Sequence, residues 1–280
     1  MHIVKVIRDG SVAGGLLEGD TVHIIGGWTR GDARQVSFPL SQRLTEGVER
    51  LRAEASENVP LSSVRLAAPV DPAAKILCVG MNYRDHVSEI KLDVAENPTI
   101  FQRYLDSLVA HDEPIERPRT SETFDFEGEI AIIIGKGGRH IALADAMDHV
   151  GGFTCFMDGS VRQYQRHSLT AGKNYYRSGS IGPWIVPAAS MASANPSLET
   201  RLNGQVMQSA HADQMIFDIP HVIEYCSRFT PLRPGDVIAT GTPGGVGSRR
   251  EPQLWMVPGD RIEVTVEGIG TLANSVIDEA

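Results

Sequence analysis

A β-rich α+β fold is the class this sequence predicts, on three observations. Short apolar runs of strand length recur from residue 75 onward, the hairpin dipeptide Asn203-Gly204 joins two of them, and among them residues 219–229 read as a helix. The first 70 residues read differently. Strand-like segments with turns at Gly14-Gly15 and Gly26-Gly27 lead to an expected amphipathic helix over residues 41–56, where Leu44, Val48 and Leu51 recur at i, i+4 and i+7. A small α+β domain is therefore expected over 1–70. The proline-bounded Pro69-Val70-Asp71-Pro72 closes it and opens a larger domain over 71–280. In that domain strands are expected over 75–80, 129–135, 150–158, 181–186, 199–203, 206–209, 236–240, 261–266 and 271–277.

Composition narrows the function. A chain of 280 residues, 41% hydrophobic and 22% charged, can bury one large core or one core with a small appendage. A net charge of -9 without a basic run argues against nucleic-acid and membrane-surface partners. The apolar runs are too short to span a bilayer and the first residues lack a secretory apolar region, so a cytoplasmic protein is expected. Cys78, Cys155 and Cys226 are widely spaced and form no Cys-x-x-Cys pair, which reads as buried thiols. There is no Gly-x-Ser-x-Gly elbow and no His-Glu-x-x-His. The glycine-rich residues 240–247 lack the lysine and following helix of a phosphate loop.

The most informative stretch is Asp125-Phe126-Glu127-Gly128-Glu129, which runs into the apolar residues 130–134. On a strand, a period of two places Glu127 and Glu129 on one face. Two like charges at the mouth of a buried strand repel and lose hydration unless a cation neutralises them, and a divalent metal is the natural one. The plainer alternative is a solvated strand end. Asp158, at the end of another apolar strand, is a candidate third carboxylate, or else a helix N-cap. Arg162 and Gln165 follow it at one-turn spacing. His86 and Glu89, three apart, would share a helix face on which the carboxylate orients the imidazole as a general base, or would both be solvated. Lys173 could supply positive charge to the carboxylates. Thr242 with its glycine neighbours could offer donors to a substrate carboxylate.

In this order, the segments resemble the fumarylacetoacetate hydrolase family from about residue 75 to 279. The matching pieces are residues 79–86, Phe126-Glu127-Gly128-Glu129, Asp158-Gly159-Ser160-Val161-Arg162, Gly182-Pro183-Trp184, Leu202-Asn203-Gly204, residues 232–238 and residues 240–247. The resemblance implies a β-roll of mixed strands, a homodimer, and a smaller, variable N-terminal domain. It implies that Glu127, Glu129 and Asp158 bind one divalent cation, Mg2+ or Mn2+ with Ca2+ also possible, in keeping with the hard all-oxygen set. His86 and Glu89 fall on the water-activating pair, on a segment that closes as a lid over ligand, and Lys173 on the family lysine. Tyr83, Arg162, Gln165, Gly241 and Thr242 fall on substrate-binding positions. Two departures, Met157 before the aspartate and Phe101-Gln102-Arg103-Tyr104 near the site, bear on substrate identity. Arg103 either reaches the far end of the substrate or is structural.

The chemistry implied is cleavage of a carbon-carbon bond in a 2,4-dioxo acid through an enolate, with His86 activating the water. Decarboxylation of an oxaloacetate-type 2-oxo acid uses the same enolate without water, and isomerisation or hydration of a related acid are further possibilities. A non-catalytic relative that only binds a keto acid would have no use for His86, Glu89 and Lys173 together.

Overall fold

The computed structural model describes residues 1–85 and 95–280. Its centre is a twelve-stranded mixed sheet. One end is built from Ala55–Pro60, Thr21–Arg30, Ser11–Glu18 and His2–Arg8, in that order. The order continues through Gly179–Pro187, Val150–Met157, Gly128–Ile134, Val237–Ala239, Ile76–Gly80 and Thr99–Gln102. The two halves meet antiparallel at Ile3 and Ile185. A second, five-stranded sheet runs Gln205–His211, Ser197–Leu202, Arg261–Val266, Gly270–Asp278 and Ile115–Arg117. Asn203-Gly204 makes the turn between the first two, with both residues at positive φ, the geometry such a hairpin needs.

Gly128–Ile134 is buried throughout and, Glu129 apart, apolar, because both of its faces are covered. Ile130, Ile132 and Ile134 enter a core shared with Ile262, Val264 and Leu272 of the second sheet. Ala131 and Ile133 face the other way, into a core with Ile76, Val237, Phe38 and Leu44. The N-terminal residues Phe38 and Leu44 thus cover one side of the strand that leads to the acidic cluster. Each isoleucine so buried contributes roughly 1.5–3 kcal/mol, and together they hold the strand end rigid.

The helix expected over 41–56 is broken. Two 3-10 turns, Pro39–Gln42 and Leu44–Glu46, precede a short helix, Val48–Arg52, and Ala55–Pro60 is a strand. Gly47 at φ 85 interrupts the helical path. The apolar spacing did mark burial, since Leu44 and Leu51 lie inside. The helix Ile219–Phe229 forms as its sequence indicates. The Asp218 side chain accepts from the His221 N–H at 3.0 Å, Pro220 occupies the first turn, and Val222, Ile223 and Cys226 are buried.

Gly128, between the two glutamates, has a packing reason to be glycine. A Cβ there would lie 2.0 Å from Thr200 Oγ1 and 3.2 Å from Thr200 Cβ. We expect Gly128→Ala to destabilise the protein by about 2–3 kcal/mol through overpacking. Adding Thr200→Ala should restore part of the loss. Urea unfolding midpoints of both variants check this, and an unshifted midpoint for the single variant would contradict the packing.

Candidate active site

The antiparallel pairing of Gly128–Ile134 with Val150–Met157 sets Gly128 opposite Met157, so the residues just beyond, Glu127 and Asp158, also face each other. The Asp158 N–H donates to the Glu127 carbonyl at 2.8 Å. Glu129 lies further in along the same strand. One carboxylate oxygen from each of Glu127, Glu129 and Asp158 lies within 4.8 Å of the others, and all three residues are buried, at 6%, 1% and 0% exposure. Asp158 does not cap a helix: the next one, Arg162–Gln165, starts beyond Val161.

Three cations surround this cluster. The Lys173 ammonium donates to Glu127 Oε2 at 2.6 Å, Asp158 Oδ2 at 2.6 Å and Ser160 Oγ at 2.7 Å. Arg162 Nη2 lies 2.7 Å from Glu127 Oε1, while its Nε donates to Asp125 Oδ2 at 2.7 Å. Arg103 Nη1 donates to Asp158 Oδ1 at 2.6 Å. Glu129 has a different partner, the Gly241 backbone N–H at 2.8 Å. Among the described residues, four acids, with Asp125, face three cations, a balance of one negative charge.

That imbalance falls on Glu129. Burial, then the charges of Asp158 and Glu127, push its carboxyl well above the ordinary range, so without a further cation it favours the protonated form. Burial alone would push Lys173 down, but Asp158 and Glu127 outweigh it and hold the ammonium above its usual value. The donor set therefore fits a hard divalent ion. Three buried carboxylates with a charge deficit suit Mg2+, Mn2+ or Ca2+ in preference to a soft metal.

A cavity of about 740 Å³ opens beside the cluster, with Glu127, Lys173, Arg162, Gln165 and Thr242 among its lining residues. That size suits a small organic ligand. Arg162 and Gln165 are joined by a 3.1 Å hydrogen bond from Nη1 to Oε1. Thr242 lines the cavity, but its hydroxyl is engaged, donating to the Gly128 carbonyl at 2.9 Å and accepting from Gln208 Nε2 at 2.7 Å.

Two expected substrate contacts, Gly241 and Tyr83, are placed elsewhere, and Arg103 takes the structural one of its two alternatives. Arg103 does not reach into the cavity: it is 2% exposed and spends its N–H groups on Asp158, Gly159, Ser107 and Ser178, which makes it a support for Asp158. Gly241 gives its N–H to Glu129, so that donor is spent on the acidic cluster. Tyr83 is 1% exposed and packs in the core with Val79, Ile130 and Met215, off the cavity wall. His86 and Glu89, with most of the segment expected to form a lid, lie outside the described residues.

Some contributors were missed. Asp125 is fully buried and holds Arg162; its position two residues before Glu127, in the same period-two pattern, was the available signal. Asn82, also fully buried, donates to the carbonyls of Phe217 and Thr240 and accepts from the Phe217 N–H, tying the chain after Ile76–Gly80 to the loop that carries Gly241.

The family model for the fumarylacetoacetate (FAA) hydrolase C-terminal domain matches residues 75–277. This chain belongs to the fumarylacetoacetate hydrolase family. The bovine (Bos taurus) protein named oxaloacetate tautomerase FAHD2A, mitochondrial, is 38% identical over 235 residues, 82% of this chain and 75% of the relative. Oxaloacetate tautomerase YisK of Bacillus subtilis is 39% identical over 223 residues, 77% of this chain and 74% of the relative. Among solved structures, maleylpyruvate hydrolase from Sphingobium sp. SYK-6 superimposes with a TM-score of 0.81 at 27% identity, covering 100% of both chains. Family membership accounts for the β-rich mixed-sheet fold, while relatives bearing different activities show that the fold does not select the reaction.

Proposed function

We propose that this chain is a divalent-metal-dependent enzyme that interconverts the enol and keto forms of an oxaloacetate-class 2-oxo acid. The observation that carries the reading is the buried Glu127, Glu129 and Asp158 cluster, which counted with Asp125 is one positive charge short among the described residues and meets a cavity of about 740 Å³ at Glu127. The names of the bovine and Bacillus subtilis relatives support the choice of reaction. A divalent ion held by the three carboxylates would polarise the 2-oxo carbonyl and stabilise enolate charge.

The protein's own groups do the rest. Lys173 has its N–H bonds taken by Glu127, Asp158 and Ser160, so it serves the reacting oxygen with its fixed charge. Arg162 spends Nε on Asp125 and one hydrogen of Nη1 on Gln165 and pairs its buried Nη2 with Glu127, which leaves the second hydrogen of Nη1 for the substrate carboxylate. Phe101 and Trp255 add apolar cavity wall that limits water around the bound acid. His86, which lies outside the described residues, is assigned the proton exchanged at carbon 3 from the family resemblance alone.

A second reading, hydrolysis of a 2,4-dioxo acid, is favoured by the cavity, which is roomier than a four-carbon acid needs, and by the likeness to maleylpyruvate hydrolase. There the same histidine would activate water. The free buried Cys78, Cys155 and Cys226 suit a reducing compartment such as the cytoplasm, although the bovine relative's name places that protein in mitochondria. Among the described residues no helix is long and apolar enough to cross a membrane.

The test is a direct comparison of substrates. Chelator-treated protein reloaded with Mg2+ or Mn2+ should speed the ultraviolet decay of enol-oxaloacetate above the buffer rate, and cleave acylpyruvates more slowly. Faster acylpyruvate cleavage would move the assignment to the hydrolase, and no metal-dependent turnover of either would defeat both readings.

A further inference from the structure

Asp125 has no part in the chemistry described above, yet it is fully buried and accepts four hydrogen bonds. Its Oδ1 takes the N–H groups of Phe126 at 2.9 Å and Gly247 at 2.8 Å. Its Oδ2 takes Arg162 Nε at 2.7 Å and the Ser248 N–H at 3.0 Å. These donors come from segments far apart in sequence. Arg162 begins the helix Arg162–Gln165, and Gly247 and Ser248 begin the 3-10 turn Gly247–Arg249. That turn is closed on itself by the Leu254 N–H, which donates to the Gly247 carbonyl at 3.0 Å. The same stretch contributes Ser248, Arg249, Gln253 and Trp255 to the cavity wall.

We propose that Asp125 is a positioning residue that locks Arg162 and the 247–255 loop together, so that one buried carboxylate sets two parts of the substrate-side wall. The physical case is directional. An arginine fork recognises a carboxylate only when its plane is fixed, and Nε is the atom that fixes it. Here Nε is held by Asp125 and Nη2 by Glu127, which leaves the guanidinium little freedom to rotate. The loop amides are anchored to the same carboxylate, so the loop cannot shift without disturbing Arg162. Asp125 ends the strand Phe124–Asp125 and Glu127 immediately precedes Gly128–Ile134, and both reach Arg162.

The inference rests on the proposed 2-oxo acid site, so its test has one arm that needs no ligand. In metal-free protein, hydrogen exchange at the Gly247 and Ser248 amides should accelerate about 10-fold or more in Asp125→Asn, which replaces an acceptor oxygen by a donor. The same amides should accelerate several-fold in Arg162→Lys, although residue 162 touches neither of them. This second variant, altered at a partly exposed position, keeps the test decisive where Asp125→Asn does not fold. In the second arm, Mn2+-loaded Asp125→Asn should bind oxalate about 10- to 100-fold more weakly, the size of one hydrogen bond to a charged group, while Mn2+ affinity changes less than about 3-fold. In an Arg162→Lys background, Asp125→Asn should weaken oxalate binding little further, because the two residues act as one unit. Unchanged loop exchange in Arg162→Lys, or additive losses in oxalate affinity, would overturn the coupling. Wild-type protein that binds Mn2+ but not oxalate would instead count against the 2-oxo acid reading, with the exchange arm still deciding the role of Asp125.

Discussion

Glu129→Gln should abolish divalent-ion binding while the protein stays folded. Glutamine keeps the shape of the side chain and an oxygen to accept the Gly241 N–H, but removes one of the three carboxylates proposed to hold the ion. The expected loss of Mn2+ affinity by calorimetry exceeds the roughly 10- to 100-fold typical of removing an outer-shell partner. Stability gives a second readout with a definite sign. Burial first, then Asp158 and Glu127, raises the Glu129 carboxyl well above its ordinary value of 4.5. An acid raised on folding binds more protons folded than unfolded between those two values, so its contribution makes stability fall as pH rises through that window. Metal-free Glu129→Gln lacks that dependence. Its melting temperature should exceed that of metal-free wild type at pH 8, with the difference shrinking toward pH 5. Saturating Mn2+ should then raise the wild-type melting temperature, by the equivalent of about 2.7 kcal/mol at 100-fold excess over Kd, and leave the variant where it was. Equal Mn2+ affinity in the two proteins would remove Glu129 from the ligand set.

Why this residue was legible in the sequence, and others less so, follows from the range of the interactions. Glu127 and Glu129 share a face through strand periodicity alone, and the apolar run after them already announced a buried strand. Asn203-Gly204 and the Asp218-capped helix are likewise local signals, and both formed as read. Arg103 is the contrary case. It follows a strand end beside the site, but its partner Asp158 is 55 residues away, and nothing nearby says whether the guanidinium turns to the cavity or to the carboxylate. Gly241 and Thr242 are alike in this: their N–H and hydroxyl donors are taken by Glu129 and Gly128, more than a hundred residues earlier. The helix over 41–56 was misread because the spacing of Leu44, Val48 and Leu51 reports burial, which two 3-10 turns and a short helix satisfy equally well around Gly47. Buried polar partnerships are set by tertiary contact, and pattern alone carries them only where they coincide with a period.

Lys173→Met should separate the two roles of the ammonium. Methionine keeps much of the apolar stem that runs beside Phe101, where Nζ sits 5.4 Å from the ring centre, and deletes the charge. Without metal, Glu127 and Asp158 then lose a buried cationic partner, and breaking such a pair costs about 3–5 kcal/mol, visible as a lower urea midpoint. The raised value of Lys173, maintained by Asp158 and Glu127 against burial, means that its own contribution is complete below the usual 10.5 and is lost only as pH rises further, so titration of the ammonium itself adds no pH dependence from pH 5 to 9. Divalent-ion affinity should rise, because the carboxylates that Lys173 neutralises become free to bind a metal. Turnover should nonetheless fall by roughly 100- to 1,000-fold, the typical loss when one fixed stabiliser of developing negative charge is removed from a dry site. Tighter Mn2+ binding with lower turnover is a combination that a purely structural lysine would not produce. Turnover within about 10-fold of wild type at saturating metal would show that the charge of Lys173 maintains the fold and leaves stabilisation of the enolate to other groups.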